Sequence, residues 1–176
     1  MLALFTRRIY MADTIYKATR KKHDLTRDDV CDKASLMNNP IQPERLERIE
    51  NGKFPITPDE VMLLATIYGE PTLCNHYCSK ECPIGEKYVP EVKVKDLAQI
   101  VLEMLSSLNS MKNSQERLIE ITADGTIDDD EIKDFVFIQN ELERISVTVE
   151  ALQLWVEQML ADKKINIEKY KQIKGE

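Results

Sequence analysis

The stretch LTRDDVCDKASLMNNPIQPERLERIENGKFP, residues 25–55, constrains the fold more than any other part of this chain. It reads as two short helices joined by a turn. The first starts at Thr26, whose hydroxyl caps free backbone amides, with Asp28 and Asp29 where the helix dipole favours acids. The second starts at Pro43, because proline suits the first helical position. It carries Leu46 and Ile49 on one side and stops at Asn51-Gly52. Two helices this short cannot hide their apolar faces alone, so the flanking segments must supply neighbours.

Both flanks do so. Residues 13–23 predict a helix capped by Asp13, with Ile15, Ala18 and Thr19 facing inward. Its Lys17, Arg20, Lys21 and Lys22 form a basic cluster, read either as a solvated face or as phosphate contacts. Residues 57–69 predict a further helix. Thr57 and Glu60 make a capping box around Pro58, and Val61, Leu64, Ala65 and Tyr68 repeat at helical spacing. Gly69 and Pro71 close it.

Arg20, Leu25-Thr26, Val30-Cys31, Leu46, Ile49-Glu50-Asn51-Gly52-Lys53, Pro55, Leu63-Leu64-Ala65 and Tyr68-Gly69 form one pattern. Over roughly residues 13–70 it resembles the Cro/repressor-type helix-turn-helix family, also called the XRE family. The turn around Met37-Asn38-Asn39-Pro40 is longer than in that family. The resemblance implies an all-α chain with a five-helix DNA-binding domain over 13–71. It implies a transcriptional regulator that acts as a homodimer on double-stranded DNA, with the second helix of the motif entering the major groove by its N-terminal end. Residue by residue, it places Gln42, Pro43, Glu44 and Arg45 nearest the bases and Arg48 a turn further on. Gln42 suits adenine, and Arg45 suits guanine or phosphate. Arg27 and Lys53 match positions beside the DNA backbone, and Arg20 turns inward to pair with Glu50. The residues leave an alternative open. Arg45 and Arg48 can pair with Glu44 and Glu47, and glutamates on a recognition helix repel phosphate. A protein-interaction module that keeps the fold without reading DNA is then the competing reading.

Charge divides the chain in the same place. Basic and acidic residues balance over residues 1–70, so the whole net charge of −7 falls on residues 71–176. An acidic protein still binds DNA when its contact face is locally positive. The acidic part is also the expected surface for a possible protein partner.

Residues 72–95 read as a linker containing Cys74, Cys78 and Cys82 at i, i+4 and i+8, one stripe on a helix, with His76 between them. Thiolates hold zinc or iron–sulfur clusters, and Cys31 is a possible fourth ligand, but the spacing is not that of a zinc finger. Three readings stand: a low-count metal or cluster site, a redox-responsive thiol pair, and free cysteines packing as small apolar residues. No cofactor is required by the pattern.

Residues 96–162 read as a helical hairpin. One row, 97, 101, 104, 108, 111, 115, 118 and 122, alternates spacings of four and three. A turn follows at Asp124-Gly125, and Asp128 with Glu131 is expected to cap the second helix. That helix, over 128–161, repeats the spacing with Phe135, Ile138, Leu142, Ile145, Val149, Leu152, Val156 and Met159. Two long helices joined by a short turn pack antiparallel and leave apolar surface that either the N-terminal domain or a second chain covers. Residues 163–176 read as a charged tail and 1–12 as a disordered N-terminal extension. No apolar run approaches the ~20 residues that span a bilayer, and no secretion signal is present, so the expected compartment is the cytoplasm. No catalytic constellation stands out. His23 and His76 are the only histidines, and neither accompanies a nucleophile motif, an HExxH or a Gly-rich phosphate loop.

Overall fold

A computed structural model describes residues 13–121, 123 and 125–175, with only the backbone of Asn113. The expected disordered extension over 1–12 lies outside the described residues, as do Thr122 of the heptad row and Asp124 of the turn. The chain is all-α. Among the described residues its helices are α1 (Ile15–Lys22), α2 (Arg27–Leu36), α3 (Pro43–Glu50), α4 (Pro58–Tyr68), α5 (Thr72–Lys80), α6 (Gly85–Tyr88), α7 (Leu97–Ile121), α8 (Ile132–Ala161) and α9 (Ile167–Lys174). No helix among the described residues is long and apolar enough to cross a membrane.

Two compact units form, one up to Tyr77 and one from Cys78 onward. In the first, α2 packs on α3 and α4, and α1 packs on the same two helices. Val30, Ala34, Leu46, Ile49, Val61, Leu64 and Tyr68 meet in one core. The end signals act as their chemistry requires. Thr26 and Asp29 form a reciprocal capping box on α2, as Thr57 and Glu60 do on α4. Gly69 ends α4 in the left-handed region at φ +66°, where a side chain would be strained.

Two local expectations are corrected. Thr14, not Asp13, caps α1, and Asp13 instead holds Lys17 and Lys21. Tyr16 is the buried residue of α1, while Ala18 is exposed. Ile15 packs against the core as expected and Thr19 is half-buried.

The expected linker over 72–95 is largely structured. Leu73 is buried in the first core, with Cys74 and Tyr77 packed against it. So α5 starts as the fifth helix of that unit. In the second unit, Gly85 brings α6 against the end of α5. A Cβ at Gly85 would stand 2.0 Å from the carbonyl oxygen and 2.8 Å from the carbonyl carbon of Cys78, backbone atoms that cannot swing aside. Gly85→Ala is expected to cost roughly 1–3 kcal/mol by overpacking. Hydrogen exchange at the Val89 amide, which donates to the Gly85 carbonyl at 2.7 Å, checks it. Unchanged protection there would contradict the clash.

The hairpin of α7 and α8 forms, with the helices packed along their length. Its seam follows the expected rows in part: Met104, Met111 and Leu118 on α7 and Phe135, Ile145, Leu152, Val156 and Met159 on α8 are half-buried. On α7, Ile100, Ser107 and Ile121 are buried, while Leu97, Val101 and Leu108 of the predicted row are exposed. On α8, Ile138, Glu141, Thr148, Ala151 and Leu154 are buried, while Leu142 and Val149 are exposed. The intrachain seam on α7 is rotated by one residue, toward a row rich in small polar side chains. Heptad spacing says that a row is suited to burial and is silent on which chain buries it. α8 also starts at Ile132, four residues later than expected: Glu131 Oε2 accepts from the Asp128 amide without extending the helix. Beyond the hairpin, α9 is a regular helix capped by Asn166 within the segment expected as a tail.

Candidate nucleic-acid interface

The α2–turn–α3 region is built around a buried carboxylate. Glu50, the last residue of α3, is 0% exposed. Its Oε1 accepts from Arg20 Nε at 2.5 Å, and its Oε2 accepts from Arg20 Nη2 at 3.0 Å and from Arg27 Nε at 2.9 Å. Arg20 Nη1 donates to the Leu25 carbonyl at 2.7 Å. The Thr14 hydroxyl donates to the Glu50 carbonyl at 2.9 Å. One carboxylate therefore ties α3 to α1 and to the start of α2. The hydrogen bond to Glu50 is the main cause that holds the Arg20 guanidinium above its ordinary range.

With α3 held by its C-terminal end and by Leu46 and Ile49, its outer face carries Gln42, Pro43, Glu44, Glu47 and Arg48, all exposed. Gln42 occupies the cap position without a capping hydrogen bond, so its amide is not used by the helix. The turn from Met37 to Gln42 includes Asn38 at φ +55°, a conformation asparagine tolerates better than most residues.

Two of the expected DNA contacts are engaged inside the fold. Arg45 makes a double hydrogen bond to Glu60, Nε to Oε1 at 2.7 Å and Nη2 to Oε2 at 2.8 Å. Its Nη2 also donates to the Pro55 carbonyl at 2.9 Å, and the guanidinium stacks 4.4 Å from the Phe54 ring centre. Burial pushes the Glu60 carboxyl up, but Arg45 and the Thr57 amide and hydroxyl outweigh it and hold it below the usual range. Arg45 thus clamps α3 to the capping box of α4. The partner is neither Glu44 nor Glu47, because side chains one and two positions away on a helix do not face each other. Arg27 is the second residue so engaged. Besides Glu50 it meets Glu47 at 3.7 Å.

The basic cluster of α1 is paired as well. Lys17 and Lys21 meet Asp13, Lys17 also reaches Asn51, and Lys22 and His23 meet Glu70. Among the described residues, the side chains of Arg48 and Lys53 form no ion pair or hydrogen bond, and both residues are exposed. An open groove between the starts of α2 and α3 is lined by Arg20 and Arg27 together with Asp24, Asp28, Glu44 and Glu47.

The cysteines do not make one stripe. α5 ends at Lys80, and Pro83 disfavours helix at Cys82. Cys82 instead accepts the Gly85 amide on Sγ at 3.5 Å. All four cysteines are free thiols, and burial is the main cause that pushes the Cys31 thiol up, the direction of a packing residue rather than a reactive thiolate. Zinc or an iron–sulfur cluster needs converging ligands. Among the described residues no group of three or more His, Cys, Asp or Glu side chains offers them.

Sequence reasoning missed Glu60 and Phe54 as partners of Arg45. The capping box announced Glu60, but nothing in the spacing tells that its carboxylate takes a second role across the core. Compared with family models, curated proteins and solved structures, the chain matches none.

Proposed function

We propose that the first unit is a DNA-binding module of the Cro/repressor helix-turn-helix kind and that the whole chain is a transcriptional regulator acting as a homodimer. The observation that carries this reading is the held helix α3. The Glu50 and Arg45 clamps fix both of its ends from behind, while Gln42, Arg48 and, just past its end, Lys53 stay exposed and unengaged. A rigid helix with a free N-terminal outer face is what major-groove readout needs. Gln42 suits bidentate contact with adenine, and Arg48 and Lys53 suit phosphate.

A second reading is favoured by the groove where Asp24, Asp28, Glu44 and Glu47 outnumber Arg20 and Arg27, both of which are already paired with Glu50. These carboxylates repel phosphate and suit a basic protein segment. Binding of the full chain to duplex DNA from upstream of its own gene, over a series of salt concentrations, separates the two. Arg45 is unsuitable as the probe, since its loss loosens α3. Arg48→Ala/Lys53→Ala is expected to weaken binding and to lower the slope of log affinity against log salt by about 1 for each phosphate contact removed. Gln42→Ala is expected to relax preference at one base pair. Equal, weak binding by the wild type and the double variant would remove the DNA reading.

A further inference from the structure

We infer that Glu44 is a specificity-determining residue of α3 and that its carboxylate accepts a hydrogen bond from the amino group of a cytosine in the major groove. On the DNA reading above, on which this rests, the target then carries a C·G pair opposite the first turn of α3.

Glu44 lies at the centre of the outer face of α3. At about 100° per residue, Leu46 is turned about 200° from it and Ile49 about 140°, so these two core contacts average about 170° away. Arg45, about 100° away, is held by Glu60. Arg48 and Glu47 lie about 40° and 60° to either side of Glu44. A duplex laid against this face meets Glu44 first. Glu44 also sits in the first turn, at the end of the helix that enters the groove in this mode of docking.

Its carboxylate has no partner within the fold. Glu44 is exposed, and among the described residues its side chain forms no ion pair or hydrogen bond. The nearby glutamates differ. Glu47 has Arg27 at 3.7 Å, and Glu50 and Glu60 are bound by arginines. An acid in the first turn also favours the helix itself, but that effect acts on stability and selects no base.

Major-groove chemistry narrows the complement to one base. A carboxylate accepts hydrogen bonds and does not donate them. Guanine offers only the acceptors N7 and O6, and thymine offers O4 and a methyl group. The N6 amino group of adenine lies between its own N7 and the O4 of thymine, so a carboxylate that reaches it is repelled from both flanks. The N4 amino group of cytosine has an acceptor on one flank only, the O6 of its guanine. Phosphates repel the carboxylate as well. Glu44 therefore disfavours every duplex that does not present this amino group, which is selectivity by repulsion of the wrong partners.

The test is selection by the full chain from a library of randomised duplexes, followed by affinities for the selected duplex and its single-pair variants. Wild type, Glu44→Ala and Glu44→Gln are compared. The wild type is expected to enrich a duplex with a fixed C·G pair and to lose roughly tenfold in affinity when that pair is replaced. Glu44→Ala is expected to bind all four pairs there about equally. It is also expected to hold unrelated duplex more tightly, because a negative charge facing the phosphates is gone. Glu44→Gln is expected to move the preference to adenine, whose N6 and N7 match a carboxamide. Circular dichroism is expected to show unchanged helix content in both variants. A role in helix stability alone would weaken binding to every duplex alike and leave the preferred pair in place. That result, enrichment without cytosine, or a cytosine preference that persists in Glu44→Ala overturns the role of Glu44 and leaves DNA binding standing. No enriched duplex with the wild type removes both.

Discussion

Glu50→Ala is expected to destabilise the first unit by roughly 3–5 kcal/mol, the range for removing one partner of a buried ion pair. The carboxylate is 0% exposed and accepts three hydrogen bonds from Arg20 and Arg27. Alanine removes the charge and leaves the Arg20 side chain, 11% exposed, beside an empty space with its Nε and Nη2 unpaired. The loss reaches beyond one contact, because Glu50 joins α3 to α1 and α2. Glu50→Gln preserves the shape and isolates the charge. It is expected to lose most of the same stability, since the amide nitrogen presents hydrogens to a guanidinium. Denaturant unfolding by circular dichroism measures the change. Trp155 is the only tryptophan and belongs to the second unit, so its fluorescence serves as an internal reference. A change below about 1 kcal/mol would mean that the pair is solvated in solution.

The ends of α2, α3 and α4 were legible because their signals are local. A hydroxyl at the cap, an acid three residues on, a proline at the first position and a glycine after the last turn act within one turn of helix. The start of α1 was misread for the same reason in reverse. Asp13 and Thr14 are both good caps, and the choice between them is made by distant groups: Asp13 is held by Lys17 and Lys21, while the Thr14 hydroxyl reaches the Glu50 carbonyl.

The site was less legible, and the residues show why. A cation on a short helix has the same sequence signature whether it meets DNA or an acid from another element. Arg48 and Arg45 lie three positions apart on α3, yet one is free and the other is bound to Glu60, fifteen residues downstream. Helical spacing places Arg45 near the core edge, but only the path of the chain through Phe54 and Pro55 brings Glu60 to it. The hairpin repeats the lesson. Both the buried row at Ile100 and Ser107 and the exposed row at Val101 and Leu108 have heptad spacing. Composition favours the second as an apolar seam, and the intrachain contact uses the first. A periodic row is a local property, whereas its partner is not.

Leu46→Ala is expected to cost roughly 2–5 kcal/mol, the range for truncating a buried leucine where the surroundings relax only in part. Leu46 is fully buried in the core it shares with Val30, Ala34, Ile49 and Leu64. Helix propensity cannot account for such a loss, since alanine is the better helix former. The substitution removes only packing. Its value lies in comparison along one helix. Arg48→Ala, two residues on and exposed, is expected to change stability by less than about 0.5 kcal/mol. Arg45→Ala falls between them, because it breaks a double hydrogen bond at a partly exposed site. If α3 reads DNA, Leu46→Ala loses binding only in proportion to the fraction unfolded, and Arg48→Ala loses it with the fold intact. Binding that follows stability across all three variants, with Arg48→Ala as strong as wild type, would leave α3 a structural helix and point to the acidic groove beside it.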